Sequence, residues 1–475
     1  MNVKNRTIFE NDNLLILRGI DTASIDAIYQ DPPFNSNRTY EAPIGSDAAG
    51  AAFKDSWALS DLDNAWHGEL AEREPALYHA LSAAEFTHGK PMKAYLIMMG
   101  VRMLEMHRIL KPTGTIYVHC DDTAVHYLKV MMDSIFGKDN FRNEIIWQRT
   151  VTRKGNLTKG LARDCDIILR YTKSSNFVWN PEAVTIPYDL ENLDEKTKKQ
   201  YRYVEPETGR LFRYSEITAP IQEPLSNRTY ELMGVVRTWR WTKERMQAEI
   251  ETGRIVQTRP GNIPRYKRYL DEQKGRMLNN VWVDISNLTP KSKERVGYPT
   301  QKPLALLERL IAASTRPGDM VLDPFCGCAT TCIAAERLQR GWIGIDISPK
   351  AVELVKLRLQ TEGLSEQGGI LGEVIHRTDI PKRSDFSEAG RTQVETRQYR
   401  THKHTLFGLQ EGKCNGCQVL FPFRNMTVDH LLAKSRGGTD YFDNLQLLCG
   451  ACNSMKGSGT QEQLIKRLKS EGILR

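Results

Sequence analysis

The sequence predicts an α/β protein: a doubly wound, parallel sheet, split by a long inserted region and followed by a small metal-stapled module. Three observations predict it. Helical and strand-like periods alternate along 94–147 and again along 303–346. The stretch between them is irregular and rich in Arg, Lys, Tyr and Trp, and the last segment carries two Cys-x-x-Cys pairs. At 475 residues the chain is too long for one compact core, so roughly two or three domains are expected.

The elements follow in order. Residues 14–30 carry apolar stretches and end in Ile28-Tyr29-Gln30, a short strand running into Asp31. Tyr95, Leu96, Met99, Met103 and Leu104 recur at helical spacing over 94–110, and Lys111-Pro112-Thr113-Gly114 stops that helix. A buried strand, Thr115–Cys120, comes next, then a helix over 124–136 and a strand over 144–147. Alternation resumes after the insert with a helix over 303–314, a strand over 320–323, a helix over 330–339 and a strand over 341–346. The polar stretch 363–403 has linker composition. The expected division is 1–150 and 296–362 for the two halves of the sheet domain, 151–295 for the insert, 363–403 for the linker and 404–475 for the final module.

Composition narrows the class. No apolar run approaches the roughly 18 residues that span a bilayer, and Met1–Arg6 leads into a strand-like segment without an apolar signal core. A cytoplasmic protein is expected. The formal charge of +8 is compatible with a polyanionic partner and equally with an ordinary basic enzyme. Among the nine cysteines, Cys120 and Cys165 are isolated and read as small packing residues.

Two motifs carry chemistry in the sheet domain. Asp31-Pro32-Pro33-Phe34 lies at a strand end, where open α/β sheets place ligands. An exocyclic amino group on a base is a poor nucleophile, because its lone pair is delocalised into the ring. Asp31 and the Pro32 carbonyl could hold its N–H bonds, and neither proline offers a competing backbone donor. Phe34 offers a flat face for an extruded base. The tetrapeptide alone could equally be a stiff turn. Far downstream, Asp323-Pro324-Phe325-Cys326-Gly327 forms a tight loop between strand and helix, and Asp346 ends the following strand as a ribose-binding acid would. The loop departs from Gly-x-Gly-x-x-Gly, which favours S-adenosylmethionine over a dinucleotide. Thr300-Gln301-Lys302-Pro303 opens the preceding helix and could wall the same pocket.

With both motifs in this order, the chain resembles the amino-directed DNA methyltransferases of the β arrangement over roughly residues 8–360. The resemblance implies a Rossmann-like, S-adenosylmethionine-dependent methyltransferase fold in which the insert reads double-stranded DNA. Carried over, Asp31, Pro32, Pro33 and Phe34 are catalytic. Asp323, Phe325, Gly327 and Asp346 bind the donor, and Thr300, Gln301, Lys302 and Pro303 line its methionine end. Asp at position 31 tends toward adenine N6 over cytosine N4. Cys328-Ala329 departs from the glycine and hydroxyl residue common there, though both are small. In the insert, Arg237-Thr238-Trp239-Arg240-Trp241 and Arg265-Tyr266-Lys267-Arg268-Tyr269 combine cations with flat rings. Either run could instead be a strand with one packed face.

Cys414, Cys417, Cys449 and Cys452 form the ligand set of a closed tetrahedral zinc site. Between the pairs lie Val428-Asp429-His430, Asp443-Asn444 and, after the last cysteine, Asn453. This resembles an HNH nuclease domain, two strands and a helix around one divalent ion. The resemblance makes His430 the general base, Asp429 and Asn453 the ligands of Mg²⁺, and Asn444 the residue that fixes the loop orienting His430.

The expectation is a bifunctional DNA enzyme of a restriction–modification or phage type. The alternative is a cytosine-N4 methyltransferase whose tail only binds DNA. Methylation of a protein amide, which Asx-Pro-Pro-aromatic loops also serve, fits the late donor loop and nuclease-like tail poorly. A homodimer stays open.

Overall fold

The computed structural model describes residues 1–33, 38–41, 46, 48, 52–55, 68–72, 74–150, 161, 163–219, 228–364, 373–385, 394–438, 440 and 442–474. Phe34 lies outside them. The chain forms two compact units, a large one, Met1–Ala183 with Asn279–Arg475, and a smaller one, Val184–Leu278.

The large unit is organised by a nine-stranded sheet. Its strands in chain order are β1 (Thr7–Glu10), β2 (Ile25–Gln30), β3 (Leu110–Cys120), β4 (Phe141–Gln148), β5 (Cys165–Thr172), β6 (Val281–Trp282), β7 (Met320–Asp323), β8 (Gly341–Asp346) and β9 (Ile375–Arg377). Their spatial order is β6-β4-β5-β3-β2-β7-β8-β1-β9. β2 and β7 are parallel neighbours, with Ala27 opposite Val321 and Ile28 opposite Leu322. The loops after Gln30 and Asp323 therefore leave the same sheet edge side by side.

The central strands are apolar on both faces, as strands covered by helices on either side must be. Every residue of β2 and β7 is buried. The covering helices include α1 (Asn13–Gly19), α2 (Pro75–His88), α3 (Lys90–Ile109), α4 (Val125–Met132), α5 (Leu304–Ser314), α6 (Thr330–Arg337) and α7 (Pro349–Thr361). α3 is buried almost all round. Its polar residues are paired there: Lys93 with Glu85 at 2.5 Å, and Arg102 with Asp12 at 3.1 Å.

Three expectations are corrected. The sheet is mixed, because β5 runs antiparallel to both β3 and β4. The segment 151–295 is not one insert: β5 and β6 belong to the main sheet, and the separate unit begins at Val184 and ends at Leu278. The run Asp166–Thr172 is mostly buried, and this apolar character is what recruits it to the sheet. The supposed linker 363–403 also contributes structure, since β9 pairs with β1 and the helix α8 (Val394–Leu409) begins within it. In addition, Cys165 is exposed rather than packed.

The smaller unit has a four-stranded antiparallel sheet built around Leu211–Glu216 and Arg265–Tyr269, a hairpin pairing Thr229–Leu232 with Val235–Thr238, and a helix, Lys243–Glu251. The rings of the two basic–aromatic runs mostly serve its packing. Trp239 is fully buried with its indole N–H on the Tyr230 carbonyl, and Trp241 meets Tyr266 edge-on. Lys267 is neutralised by Glu205 at 2.9 Å. Arg237, Arg240 and Arg265 remain exposed.

The C-terminal module pairs β10 (Met426–His430) antiparallel with β11 (Leu445–Cys449), followed by α9 (Gly450–Lys456) and α10 (Gln461–Ser470). Among the described residues no helix is long and apolar enough to cross a membrane.

Candidate active site and metal centre

A cavity of about 430 Å³ opens at the edge where β2, β7 and β8 end. Asp31, Pro32 and Pro33 line it from one side, and Asp323, Phe325, Gly327 and Asp346 from the other. The two motifs, remote in sequence, thus share one cavity because their strands are neighbours in the sheet.

The donor-side loop is held by its own acids. Asp323 accepts from the Phe325 backbone N–H at 3.0 Å and the Thr331 hydroxyl at 2.5 Å, and burial pushes its carboxyl up to about 7. Asp346 accepts from the backbone N–H groups of Gly327 at 2.8 Å and Ser348 at 2.9 Å, and burial raises its carboxyl also. Gly327 adopts φ +47°, and a Cβ there would sit 3.0 Å from the Tyr298 ring, so the turn excludes a side chain. Ala329 takes φ +59° without being glycine as the chain enters α6. Cys326, Cys328 and Cys332 are buried beside this loop, and they do not form a metal-ligand group among the described residues.

On the Asp31 side, Lys302 Nζ lies 2.5 Å from Asp31 Oδ2. The other carboxylate oxygen, Oδ1, is buried and has no hydrogen-bond partner among the described residues. Thr300 and Lys302 line the cavity, whereas Gln301 and Pro303 do not. Gln301 spends its amide on the local backbone, accepting from Val296 N at 3.0 Å and donating to Glu294 O at 2.7 Å, and Pro303 caps α5.

Several lining residues escaped sequence reasoning. Asn11, Asp12 and Asn13 follow β1, whose end lies at the same edge, and Arg102 reaches them from α3 through Asn13 Oδ1 at 2.5 Å. The polar run directly after an apolar strand was the available signal. Tyr29 also lines the cavity, and its hydroxyl lies 2.8 Å from Nδ1 of His119. The other ring nitrogen meets Asp166 at 3.1 Å, and Arg149 completes the chain with Asp166 at 3.2 Å.

In the C-terminal module the ligand atoms of Cys414, Cys417, Cys449 and Cys452 all lie within 4.8 Å of one another. Backbone N–H groups of Gly416 and Cys449 point at Cys414 Sγ, and that of Cys452 at Cys449 Sγ. Four converging sulfurs with N–H donors suit a tetrahedral Zn²⁺ with Zn–S near about 2.3 Å. His430 ends β10, with Nε2 2.8 Å from Asp440 Oδ1. Asn444 clasps the following loop: its Oδ1 accepts from Leu432 N at 2.9 Å and its Nδ2 donates to Leu432 O at 3.1 Å. Asn453 lies on α9, which packs against β10. Asp429 is not free for a cation on both oxygens. Oδ2 faces the buried Lys456 ammonium at 3.1 Å and the Gln446 amide at 3.0 Å.

Comparison with known families decides the lineage. Residues 25–357 match the N6/N4 DNA methylase family model, described as DNA methylase. The chain belongs to the N6/N4 DNA methylase family. Residues 414–459 match the HNH endonuclease model, so this methylase-family chain carries an HNH module. Among its relatives, type II methyltransferase M.EcaI of Enterobacter cloacae is 31% identical over 61% of this chain and 62% of its own length. The Mod subunit of the type III restriction-modification enzyme StyLTI of Salmonella typhimurium is 26% identical over 69% of this chain and 49% of its own. DNA adenine methyltransferase YhdJ of Escherichia coli is 22% identical over 74% and 82%. The matched region thus spans less than two thirds of the first two relatives.

Proposed function

We propose that this methylase-family chain transfers a methyl group from S-adenosylmethionine to an exocyclic amino nitrogen of double-stranded DNA, adenine N6 in particular. The observation that carries the reading is the buried Oδ1 of Asp31, without a hydrogen-bond partner among the described residues, in a cavity shared with the Asp323 loop and Asp346. A buried acceptor without a donor is costly, and an incoming N–H relieves it. Asp31 at this position and the name of the E. coli relative support adenine over cytosine.

The residues present suit the donor. The cavity is within the usual range for a small-molecule site of roughly 300–1,000 Å³, and Asp346 and Asp323 place carboxylates around it. When bound, the donor supplies an electrophilic methyl group on a sulfonium centre. The chain's own part is to hold the amino nitrogen. In this reading Asp31 Oδ1 accepts one N–H and the Pro32 carbonyl accepts the other, which concentrates the lone pair on nitrogen toward the donor side. The Asp31 carboxylate can then take the proton the nitrogen sheds.

The C-terminal module would hold structural Zn²⁺ on its four cysteines, with His430 activating water against a phosphodiester and Asp429 with Asn453 holding Mg²⁺. One observation favours a second reading, in which the module binds DNA without cutting: Lys456 already neutralises Asp429 Oδ2. Mass analysis of nucleosides from DNA incubated with the protein and labelled donor tests the first activity. N6-methyladenine should form, and Asp31→Ala should abolish it while donor binding persists. Methylation that survives Asp31→Ala would sink the assignment.

A further inference from the structure

We infer that Lys302 is a positioning residue for amino-group methylation: it occupies Oδ2 of Asp31 and thereby reserves Oδ1, correctly oriented, for the base. This rests on the methyl-transfer reading above.

The two oxygens of Asp31 are not equivalent. Oδ2 lies 2.5 Å from Lys302 Nζ, whereas Oδ1 is buried and, among the described residues, without a hydrogen-bond partner. A carboxylate at a strand end can turn about its terminal torsion, which is broad for Asp. An ammonium pinned on one oxygen fixes the carboxylate plane, so the second oxygen keeps one direction in the cavity. The contact is charge-assisted and short, the class of hydrogen bond best suited to holding such a plane.

The segment that delivers Lys302 is built for the purpose. Thr300 is β-branched yet has φ +62°, in the left-handed region that such residues avoid. Strain of this kind persists only where the surroundings over-determine it. Here Gln301 is bonded at both ends of its amide, Leu304 N donates to Glu294 Oε2 at 2.9 Å, and Lys302 Nζ itself donates to the Thr300 carbonyl at 3.3 Å. The lysine is 8% exposed, so it is no surface cation that happened to find an acid. It is also close enough to Asp166 to help, with the His119 hydrogen bond, to overcome the burial that would raise that carboxyl.

A cavity-lining lysine could instead grip the carboxylate end of the donor, the role that motif similarity suggests for it. The two roles predict opposite kinetics. The experiment uses the full chain, unmethylated plasmid DNA and tritiated S-adenosylmethionine, with donor affinity measured by calorimetry. Lys302→Met should lower kcat by about 100-fold, while the donor Kd and the KM for DNA stay within about threefold. Lys302→Arg, which keeps the charge with a different donor geometry, should retain about a tenth of wild-type kcat. A donor Kd weakened by about tenfold or more with kcat preserved would assign Lys302 to the donor and overturn the inference. Unchanged kcat in Lys302→Met also overturns it. Should the methionine variant fold poorly, the arginine variant alone decides through the same split. Wild-type protein that transfers no methyl group overturns the underlying reading instead.

Discussion

Tyr29 and His119 are joined by a 2.8 Å hydrogen bond beneath the loop that begins at Asp31. Asp166 accepts at Nε2, so that nitrogen carries the proton; in the neutral ring Nδ1 is then the acceptor and the Tyr29 hydroxyl the donor. Both side chains are almost wholly buried, and Tyr29 lies on β2 two positions before Asp31, which follows the strand's last residue, Gln30. The network ties β2 to β3 and β5 at the point where the chain leaves the sheet for Asp31.

Tyr29→Phe removes one oxygen and leaves a buried nitrogen without its donor. The expected cost is about 1–3 kcal/mol of stability, measured by chemical denaturation. Methylation should fall as well, because Asp31 loses a fixed base. A phenylalanine variant as stable as wild type would show that the bond contributes nothing.

Asp323 gives the protein a pH signature. Its folded carboxyl titrates at about 7, raised by burial above the ordinary value of 3.8. Between those values the folded state holds a proton that the unfolded state has released, so stability declines as pH rises through this window and levels off above it. Asp323→Asn should flatten that decline, which can reach about 4 kcal/mol. Urea titrations of both proteins from pH 4 to 8, read on the large unit, should converge at the acid end and separate toward neutrality. Parallel pH profiles would place the Asp323 titration elsewhere.

Much of this was legible in the sequence, and what was not has physical reasons. Asp31 and Asp323 could be paired from their motifs alone, because each ends an apolar strand that reads clearly. The strands β7 and β8 appear where the periodicity puts them. β5 did not, because a buried antiparallel strand followed a polar stretch and joined a sheet whose other central strands are parallel. β9 was hidden because three residues at a sheet edge have no period to detect. The role of Gln301 was misassigned to the cavity because a motif gives neighbours in sequence, whereas its side chain turns back onto Glu294 and Val296. The Tyr29–His119–Asp166 chain joins three strands, and no local pattern marks it.

Loss of the zinc proposed for the four cysteines should be felt outside the C-terminal module. Phe407 and Phe423 pack in one core with Cys414, Cys449 and Cys452, and Tyr78 of α2 joins that core, its ring 5.4 Å from Phe407. Lys90 and Glu411 add an ion pair at 2.8 Å, exposed and therefore minor. Chelation, or Cys449→Ser, should unfold the module, whose small core needs the staple. Hydrogen exchange over 75–88 should then speed up by about tenfold or more, since the helix loses the surface covering Tyr78. Exchange confined to residues beyond 404 would mean that the two parts are stabilised independently.

Asp440 offers the sharpest test of the nuclease reading. It faces His430 Nε2 at 2.8 Å and Lys434 at 2.7 Å, yet its side chain is 68% exposed. An exposed pair of this kind adds little stability, so Asp440→Asn should leave the unfolding midpoint unchanged. Its effect on the imidazole is different in kind. A carboxylate at Nε2 keeps the proton on that nitrogen and leaves Nδ1 as the basic one, the arrangement a general base requires. An amide can present either an oxygen or an N–H there and no longer selects the tautomer. Magnesium-dependent cleavage of plasmid DNA should therefore fall by about tenfold in Asp440→Asn and disappear in His430→Ala, with zinc content unchanged in both. If wild type cuts neither modified nor unmodified DNA while retaining it on a gel, Lys456 has taken the place of the cation at Asp429, and the module is a DNA clip.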